Sequence, residues 1–475
     1  MSDMFEPVIG LEIHFQLNTR TKLFCRCKSE HDAVPNTNVC PVCLGLPGAL
    51  PSLNMEAIKK GIAIIKILNG KIHHHSRFYR KNYFYPDLPK GYQITQYEAS
   101  LGTDGYVDIE TSGIKRRIRI ERMNIEEEAA RSIHVKTGDV LLDYNRSGIP
   151  LLEVTTYPDI RSPKEARLFL EKLRNMVSYI GASGCDMEKG EMRVDANISV
   201  RRKGDKEYGV RVELKNLNSI RAVEDGLEVE FKRHIDCIQK GIPIEMETRL
   251  FDEFKKETRS MRKKEASHDY RFFPEPDLPE LVLTSDFIKE VESNLPEMPE
   301  ERERRYRKMG ISESDILTIM RDRHLADYFD HVVSVFNRPH DVAKVLINEL
   351  SGIVRKTDYD FENIPLKPED FGRLLNLKSE GKINRNQMIL IIKRYFEGKG
   401  KLSQLVDAFS KDEVEFVLED VIKEVLSEGQ DLVQKYRSGK KGVLGALIGL
   451  VMKKTKGRAN PKEVKALLER YLEDG

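Results

Sequence analysis

Two stretches far apart in the chain alternate so strictly that few structures can accommodate them. In residues 8–17 the apolar Ile9, Leu11, Ile13, Phe15 and Leu17 take every second position, and Glu12, His14 and Gln16 fall between them. In residues 191–200, Val194, Ala196, Ile198 and Val200 alternate with Arg193, Asp195, Asn197 and Ser199. Successive side chains of a β-strand point to opposite faces, so each stretch predicts a strand with one apolar and one polar face. After the turn-like Lys203-Gly204-Asp205, Val210, Val212 and Leu214 alternate with Arg211, Glu213 and Lys215, and the last two runs read as a hairpin.

Two further acidic positions belong with these. Glu126-Glu127-Glu128 follows the alternating Ile118-Arg119-Ile120, and Glu153 sits in the apolar run 150–154. If the strands share a sheet, Glu12, His14, Glu126, Glu153 and Asp195 converge as hard oxygen ligands plus one imidazole, a set that suits Mg²⁺ carrying nucleotide phosphates. Arg193, Arg211 and Lys215 would neutralise phosphate oxygens, with Asn197 and Glu213 completing the expected nucleotide-binding set. No Gly-x-x-x-x-Gly-Lys-Ser/Thr loop occurs, so ATP would need a site borne on the sheet. The same alternation also fits the solvated face of an ordinary antiparallel sheet.

A chain of 475 residues exceeds one ordinary core. Strand-like runs dominate up to about residue 283, broken by two helical stretches near 163–180 and 219–240, which predicts an α+β domain built on an antiparallel sheet. Prolines 274, 276, 279, 296 and 299 mark a boundary near 290, and helical patterns follow. A break at Ser379-Glu380-Gly381-Lys382 divides the remainder, giving expected domains at 1–290, 291–378 and 379–475, the last two all-α.

Lys+Arg 79 against Asp+Glu 77 leaves a net charge of +2, so any nucleic-acid surface must be local. Residues 431–475 supply one, with eleven basic against five acidic side chains. The N-terminal residues lack a basic segment leading into an apolar run, and the longest apolar stretch, 442–451, is too short for a bilayer. Six cysteines in so long a chain do not make a disulfide framework, and a reducing, cytoplasmic setting is expected. Cys25-Arg26-Cys27 and Cys40-Pro41-Val42-Cys43 carry four thiolates at spacings that can close a tetrahedral, structural Zn²⁺ site, with free reduced thiols as the other reading. Cys185 and Cys237 read as small buried apolar residues. His73-His74-His75 reads as a solvated turn, since three successive rings cannot face one ion.

The longer motifs resemble a known family. Residues 8–14, 40–48 (Cys-Pro-Val-Cys-Leu-Gly-Leu-Pro-Gly), 81–93, 143–153 (Asp-Tyr-Asn-Arg-Ser-Gly-Ile-Pro-Leu-Leu-Glu), 193–200 and 453–461 are similar to the B subunits of tRNA-dependent aspartyl/glutamyl amidotransferases, the GatB family. The resemblance implies a cradle domain similar to the glutamine synthetase and guanido kinase fold, then two helical domains. It implies phosphorylation, by ATP with Mg²⁺, of the side-chain carboxylate of Asp or Glu mischarged on tRNA for Asn or Gln. Ammonia from a glutaminase A subunit would then displace phosphate, and a small C subunit would clasp the two. The resemblance assigns metal and catalytic roles to Glu12, His14, Glu126, Glu153 and Asp195, and places Glu127 where ammonia emerges. The family usually reads His-Leu-Glu-Glu-Asp where this chain has Asn124-Ile125-Glu126-Glu127-Glu128.

With that substrate in view, Tyr83 and Tyr85, flanked by Lys81 and Lys90, would cradle the tRNA acceptor end, or equally anchor their loop in the core, and Lys453, Lys454, Lys456 and Arg458 would contact the body of the tRNA, the other reading being an ordinary solvated helical face. Two other readings remain: a non-catalytic tRNA-binding scaffold stabilised by Zn²⁺, and a small-molecule ligase of the glutamine synthetase kind.

Overall fold

The alternating runs become neighbours in one sheet. The computed structural model describes residues 4–30, 33–111, 113–263, 269–411, 418–455, 459 and 461–473. The first strands are β1 (Phe5–Gln16), β2 (Lys71–Ile72), β3 (His75–Ser76), β4 (Phe78–Asn82), β5 (Tyr92–Gln96) and β6 (Gly102–Thr111). They are followed by β7 (Ile114–Glu127), β8 (Arg131–His134), β9 (Val140–Asp143), β10 (Pro150–Thr156), β11 (Met192–Arg202) and β12 (Val212–Lys215). The last are β13 (Glu247–Asp252), β14 (Glu257–Lys263), β15 (Phe273–Pro274) and β16 (Leu281–Val282).

A twelve-stranded sheet runs β14-β13-β12-β11-β1-β10-β7-β5-β4-β15, with β6 also on β7 and β2 on β6. The fold is α+β. The sheet is mixed rather than wholly antiparallel: β12 and β13 pair in parallel, because α3 (Ile220–Lys240) carries the chain back to the end from which it started. The expected hairpin forms, with Asn197 opposite Glu213 across β11 and β12.

One face of the sheet is packed. Ile9, Leu11, Ile13 and Phe15 of β1, with Val194, Ala196 and Ile198 of β11, join a core shared with α1 (Met55–Ile67), α2 (Pro163–Tyr179) and α3. Helix α2 starts where Ser162 accepts from the Glu165 N–H and Pro163 supplies the preset φ of a first turn. Its Ala166, Phe169, Leu170, Leu173 and Val177 recur at helical spacing and are all buried, and truncating Phe169 to Ala would cost roughly 3–5 kcal/mol. Helix α3 is capped by Ser219 and ends on Gly241, whose φ of 67° is a left-handed conformation that glycine adopts without strain.

The three successive histidines part company: His73 Nε2 is 3.0 Å from Thr103 Oγ1, His74 Nδ1 is 2.6 Å from the Leu283 carbonyl, and His75 Nδ1 is 3.1 Å from Glu280.

The chain divides into two compact units between Met298 and Pro299. The second unit is helical among the described residues and holds two cores. One includes Tyr306, Phe329, Phe371, Leu374, Ile383, Met388, Ile391 and Leu405, so the expected division at 378/379 falls inside it: Ile383, Met388 and Ile391 bury against the residues before the break. The other gathers Ile422, Val425, Leu447, Val451, Val464 and Leu468. No helix among the described residues is long and apolar enough to cross a membrane.

Candidate active site

Register decides which polar residues meet. His14 of β1 lies opposite Glu153 of β10 on one side and Arg193 of β11 on the other, and Glu12 lies opposite Asp195. Glu153 in turn faces Asn124 of β7, and Glu126 stands one step further along the same face. His14 Nε2 is 3.2 Å from Glu126, 3.7 Å from Glu153 and 3.9 Å from Glu12. Ligand atoms of Glu12, His14 and Glu153 all lie within 4.8 Å of one another, a span one cation can bridge.

The electrostatics of the group follow from its burial. Burial alone lowers the His14 pKa, but hydrogen bonds to Glu126 and Glu153 prevail and raise it to about 10. Burial pushes the Glu126 carboxyl up, and the His14 hydrogen bond and charge, with help from Lys81 and Thr95, bring it down to about 2. Glu12 is raised, by burial first and then by Glu153. Thr95 Oγ1 donates to Glu126 at 3.1 Å, and Thr155 Oγ1 to Glu153 at 3.3 Å, so neither carboxylate is free to swing.

Cations border the cluster. Lys215 pairs with Asp195 and lies 3.4 Å from Glu213, whose other oxygen accepts from Thr248 at 2.8 Å. Burial disfavours the Lys215 ammonium, but Asp195 and Glu213 outweigh it and hold the pKa above the usual lysine value. Arg193 reaches Glu128 at 2.7 Å. Asn197 shares the face, whereas Arg211 is exposed one residue before β12 begins.

Glu127 does not join its neighbour. Adjacent strand residues face opposite ways, and Glu127 lies on the packed side, paired with the Lys90 ammonium and accepting the Ile94 N–H at 2.8 Å. Both line a cavity of about 90 Å³ shared with Phe24, Cys25 and Cys43. The Lys90 side chain is 8% exposed, with its ammonium paired to Glu127. Lys81 does stay on the carboxylate side, 5.1 Å over the Tyr270 ring, and Tyr83 packs edge-on against Tyr85 and Tyr270.

Cys25, Cys27, Cys40 and Cys43 converge, with all four sulfurs within 4.8 Å of one another, four thiols in reach of one ion. Hydrogen bonding from Cys25, aided by Lys22, lowers the Cys43 thiol to about 5. The loop that carries Cys40 and Cys43 is held by the 143–148 turn. Asp143 accepts the Asn36 N–H at 3.1 Å, Asn145 the Asn38 N–H at 2.8 Å, and Ser147 donates to the Cys43 carbonyl at 3.2 Å. Gly45, with φ 67°, lies so close to Lys90 that any Cβ would collide with it.

A family model described as the GatB/GatE catalytic domain matches residues 7–289, and one described as a GatB domain matches residues 327–472. The chain belongs to the GatB family. Among similar proteins, the B subunit of the aspartyl/glutamyl-tRNA(Asn/Gln) amidotransferase of Persephonella marina is 44% identical over 472 residues, covering 98% of this chain and 99% of that one. The corresponding protein of Thermodesulfovibrio yellowstonii is 43% identical over 477 residues, covering 99% of this chain and all of that protein. One from Clostridium acetobutylicum is 43% identical, covering 98% of both chains.

Against the GatB pattern, the residues that alternation missed are as informative as those it found. Thr95 and Lys22 carry no periodic signal, and only pairing of β5 with β7, and packing of Lys22 under the cysteine loop, gives them roles. Asn124, in place of the family's usual histidine, is buried opposite Glu153 with its Oδ1 lacking a hydrogen-bond partner. In the second unit Lys453 is exposed, while Lys454 is tied to Glu424 and Glu428 at 2.8 and 2.6 Å. Lys456 and Arg458 lie outside the described residues.

Proposed function

We propose that this chain uses ATP and Mg²⁺ to phosphorylate the side-chain carboxylate of Asp or Glu mischarged on tRNA(Asn) or tRNA(Gln), preparing it for amidation. The observation that carries this reading is the convergence of Glu12, His14, Glu126 and Glu153 from three strands onto one face, with Asp195, Lys215 and Arg193 beside them. Three carboxylates and an imidazole make a hard donor set, which fits Mg²⁺ and not a soft metal. Bound there, Mg²⁺ would draw charge from the terminal phosphate of ATP and assist its transfer. It would replace the proton on His14, because histidine ligates only as the neutral imidazole.

The chemistry requires activation because a carboxylate is a poor electrophile. Its oxygen takes the terminal phosphoryl group as the bond to ADP breaks. Ammonia then attacks the acyl carbon, loses a proton, and expels phosphate to leave the amide. Lys215 and Arg193 are suited to hold the phosphate oxygens, Asn197 and Glu213 to order the nucleotide, and Lys81, Tyr83 and Tyr85 to receive the acceptor end. Arg211, being exposed, would join only through a substrate-bound rearrangement of its segment.

Ammonia would come from an A subunit with glutaminase activity, with a small C subunit completing the complex. That the relatives are themselves B subunits, parts of a larger assembly, supports this reading. Glu127 and Lys90, in a cavity on the other side of the sheet, suit the delivery side. A structural Zn²⁺ on the four cysteines would pin the loop that walls this cavity. The sheet of unit one would act as a cradle of the glutamine synthetase and guanido kinase type, and the helical tail, with Lys453, Lys454, Lys456 and Arg458, would hold the tRNA body.

The test is phosphate release from ATP by the assembled complex, with and without mischarged tRNA. Release that depends on mischarged tRNA, and nearly vanishes in Asp195→Ala and Glu12→Ala with folding intact, is the expected result. Release without tRNA would point to a small-molecule ligase, and full activity of both variants would leave this chain a scaffold.

A further inference from the structure

Arg193 and Glu128 belong to opposite sides of the candidate site. Arg193 lies on β11 directly across from His14, and Glu128 follows the last residue of β7, with β1 and β10 running between the two strands. Their side chains meet all the same, at 2.7 Å. The guanidinium is therefore turned across the polar face towards Glu128.

Glu128 is anchored for such a task. Its N–H donates to the Ile149 carbonyl and its own carbonyl accepts from Gly148, both at 2.9 Å. Its side chain is 7% exposed, and a carboxylate so buried is stable only beside a compensating charge, which Arg193 supplies. The arginine side chain itself remains 45% exposed, and with its Nη2 end against Glu128 the five-donor fork keeps an open edge.

The charge balance of the face gives that open edge a purpose. Glu12, Glu126, Glu153 and Asp195 all present negative charge, His14 is engaged by the first three, and Lys215 by Asp195 and Glu213. A polyphosphate approaching four carboxylates needs a cation oriented beforehand, and an arginine rotating in solvent would have to be ordered at every turnover. We propose that Glu128 is a positioning residue, holding the Arg193 guanidinium across the face so that its open edge meets the phosphoryl group in transfer. The inference rests on the phosphoryl-transfer reading above.

The test is a double-mutant cycle on phosphate release by the assembled complex with mischarged tRNA, comparing E128Q, R193Q and the double variant at matched melting temperatures. E128Q is expected to lower kcat by about tenfold or more, with KM for the aminoacyl-tRNA unchanged within about twofold. E128D, which keeps the charge, recovers most of the rate, and the double variant is no slower than R193Q alone. Losses that multiply in the double variant, or a wild-type kcat for E128Q, overturn the proposal. Should E128Q fold poorly, E128N, which also removes the charge, takes its place in the cycle, with the double variant again expected to be no slower than R193Q alone. Failure of the phosphoryl-transfer reading shows separately, as a wild-type complex that releases no phosphate.

Discussion

The Nε2 of His14 stands 3.2 Å from Oε1 of Glu126, joining strands that β10 separates in the sheet. The imidazole holds together carboxylates that would otherwise repel. Replacing His14 with Ala leaves Glu126 and Glu153 facing each other with little solvent, so the cluster should open and its cation affinity fall. Mn²⁺ binding, followed by electron paramagnetic resonance, is expected to weaken by about ten- to a hundredfold in His14→Ala. Phosphate release should fall with it. Unchanged Mn²⁺ affinity would mean that the cation sits elsewhere.

Lys22 carries a second prediction. It is fully buried, with Nζ 2.8 Å from the Asn38 carbonyl, 3.2 Å from the Tyr144 carbonyl and 3.7 Å from Cys43 Sγ. Four thiolates around a Zn²⁺ would carry a net negative charge, which Lys22 would offset while tying the cysteine loop to the turn beneath. Lys22→Met should destabilise the protein by roughly 3–5 kcal/mol and speed zinc loss to a chelator, read with a colorimetric zinc indicator. Zinc retained at the wild-type rate would reduce Lys22 to a filler of the core.

These two residues show what could and could not be read ahead of the fold. Alternation fixes the face on which a strand residue lies, so Glu12, His14 and Asp195 were legible as a polar set from their spacing alone. Strand order and register are long-range choices, so nothing local says that Thr95 would meet Glu126, or that Lys22 would lie under Cys43. Parity also separates what a motif unites: Glu126 and Glu127 are adjacent, yet one faces the carboxylate cluster and the other faces Lys90. The break at 379–382 is a real turn, but helices on both sides share a core, a fact that chain composition does not record.

The network behind α3 predicts an acid-sensitive contribution to stability. Glu230 is fully buried and accepts from Arg233 at 2.5 and 2.8 Å and from Thr258 at 2.7 Å, with His234 at 3.0 Å and Arg249 at 3.5 Å. Glu247 completes the group by pairing with Arg249 at 2.5 Å. Burial pushes the Glu230 carboxyl up, but His234 and Arg233 bring it down to about 2 from 4.5. A folded value below the unfolded one stabilises the native state above the unfolded pKa, and that contribution fades as pH falls from about 4.5 towards 2. It amounts to roughly 3 kcal/mol. Glu230→Gln should lose it at neutral pH and show a flatter stability profile below pH 5, in urea titrations from about pH 7 to 3. An unchanged profile would assign the acid sensitivity to other carboxylates.

The last prediction concerns the tail, and the two helical cores decide where the cut must fall. Removing everything from residue 380 would strip Ile383, Met388 and Ile391 from the core around Phe371, and any loss of function would then reflect misfolding. The second core, from Ile422 to Leu472, leaves that first cluster whole when it is removed. Deleting 418–475 takes away all eleven basic side chains of residues 431–475, including the exposed Lys453, and only five acidic ones from that segment. Each lost phosphate contact weakens binding and flattens its salt dependence, so KM for mischarged tRNA should rise on the order of tenfold. The dependence of that KM on salt should become shallower, while ATP affinity measured by calorimetry stays at the wild-type value, because the proposed nucleotide site lies on the sheet of the other unit. Equal tRNA affinity for the full and shortened chains would mean that the sheet face, not the tail, supplies the RNA contacts.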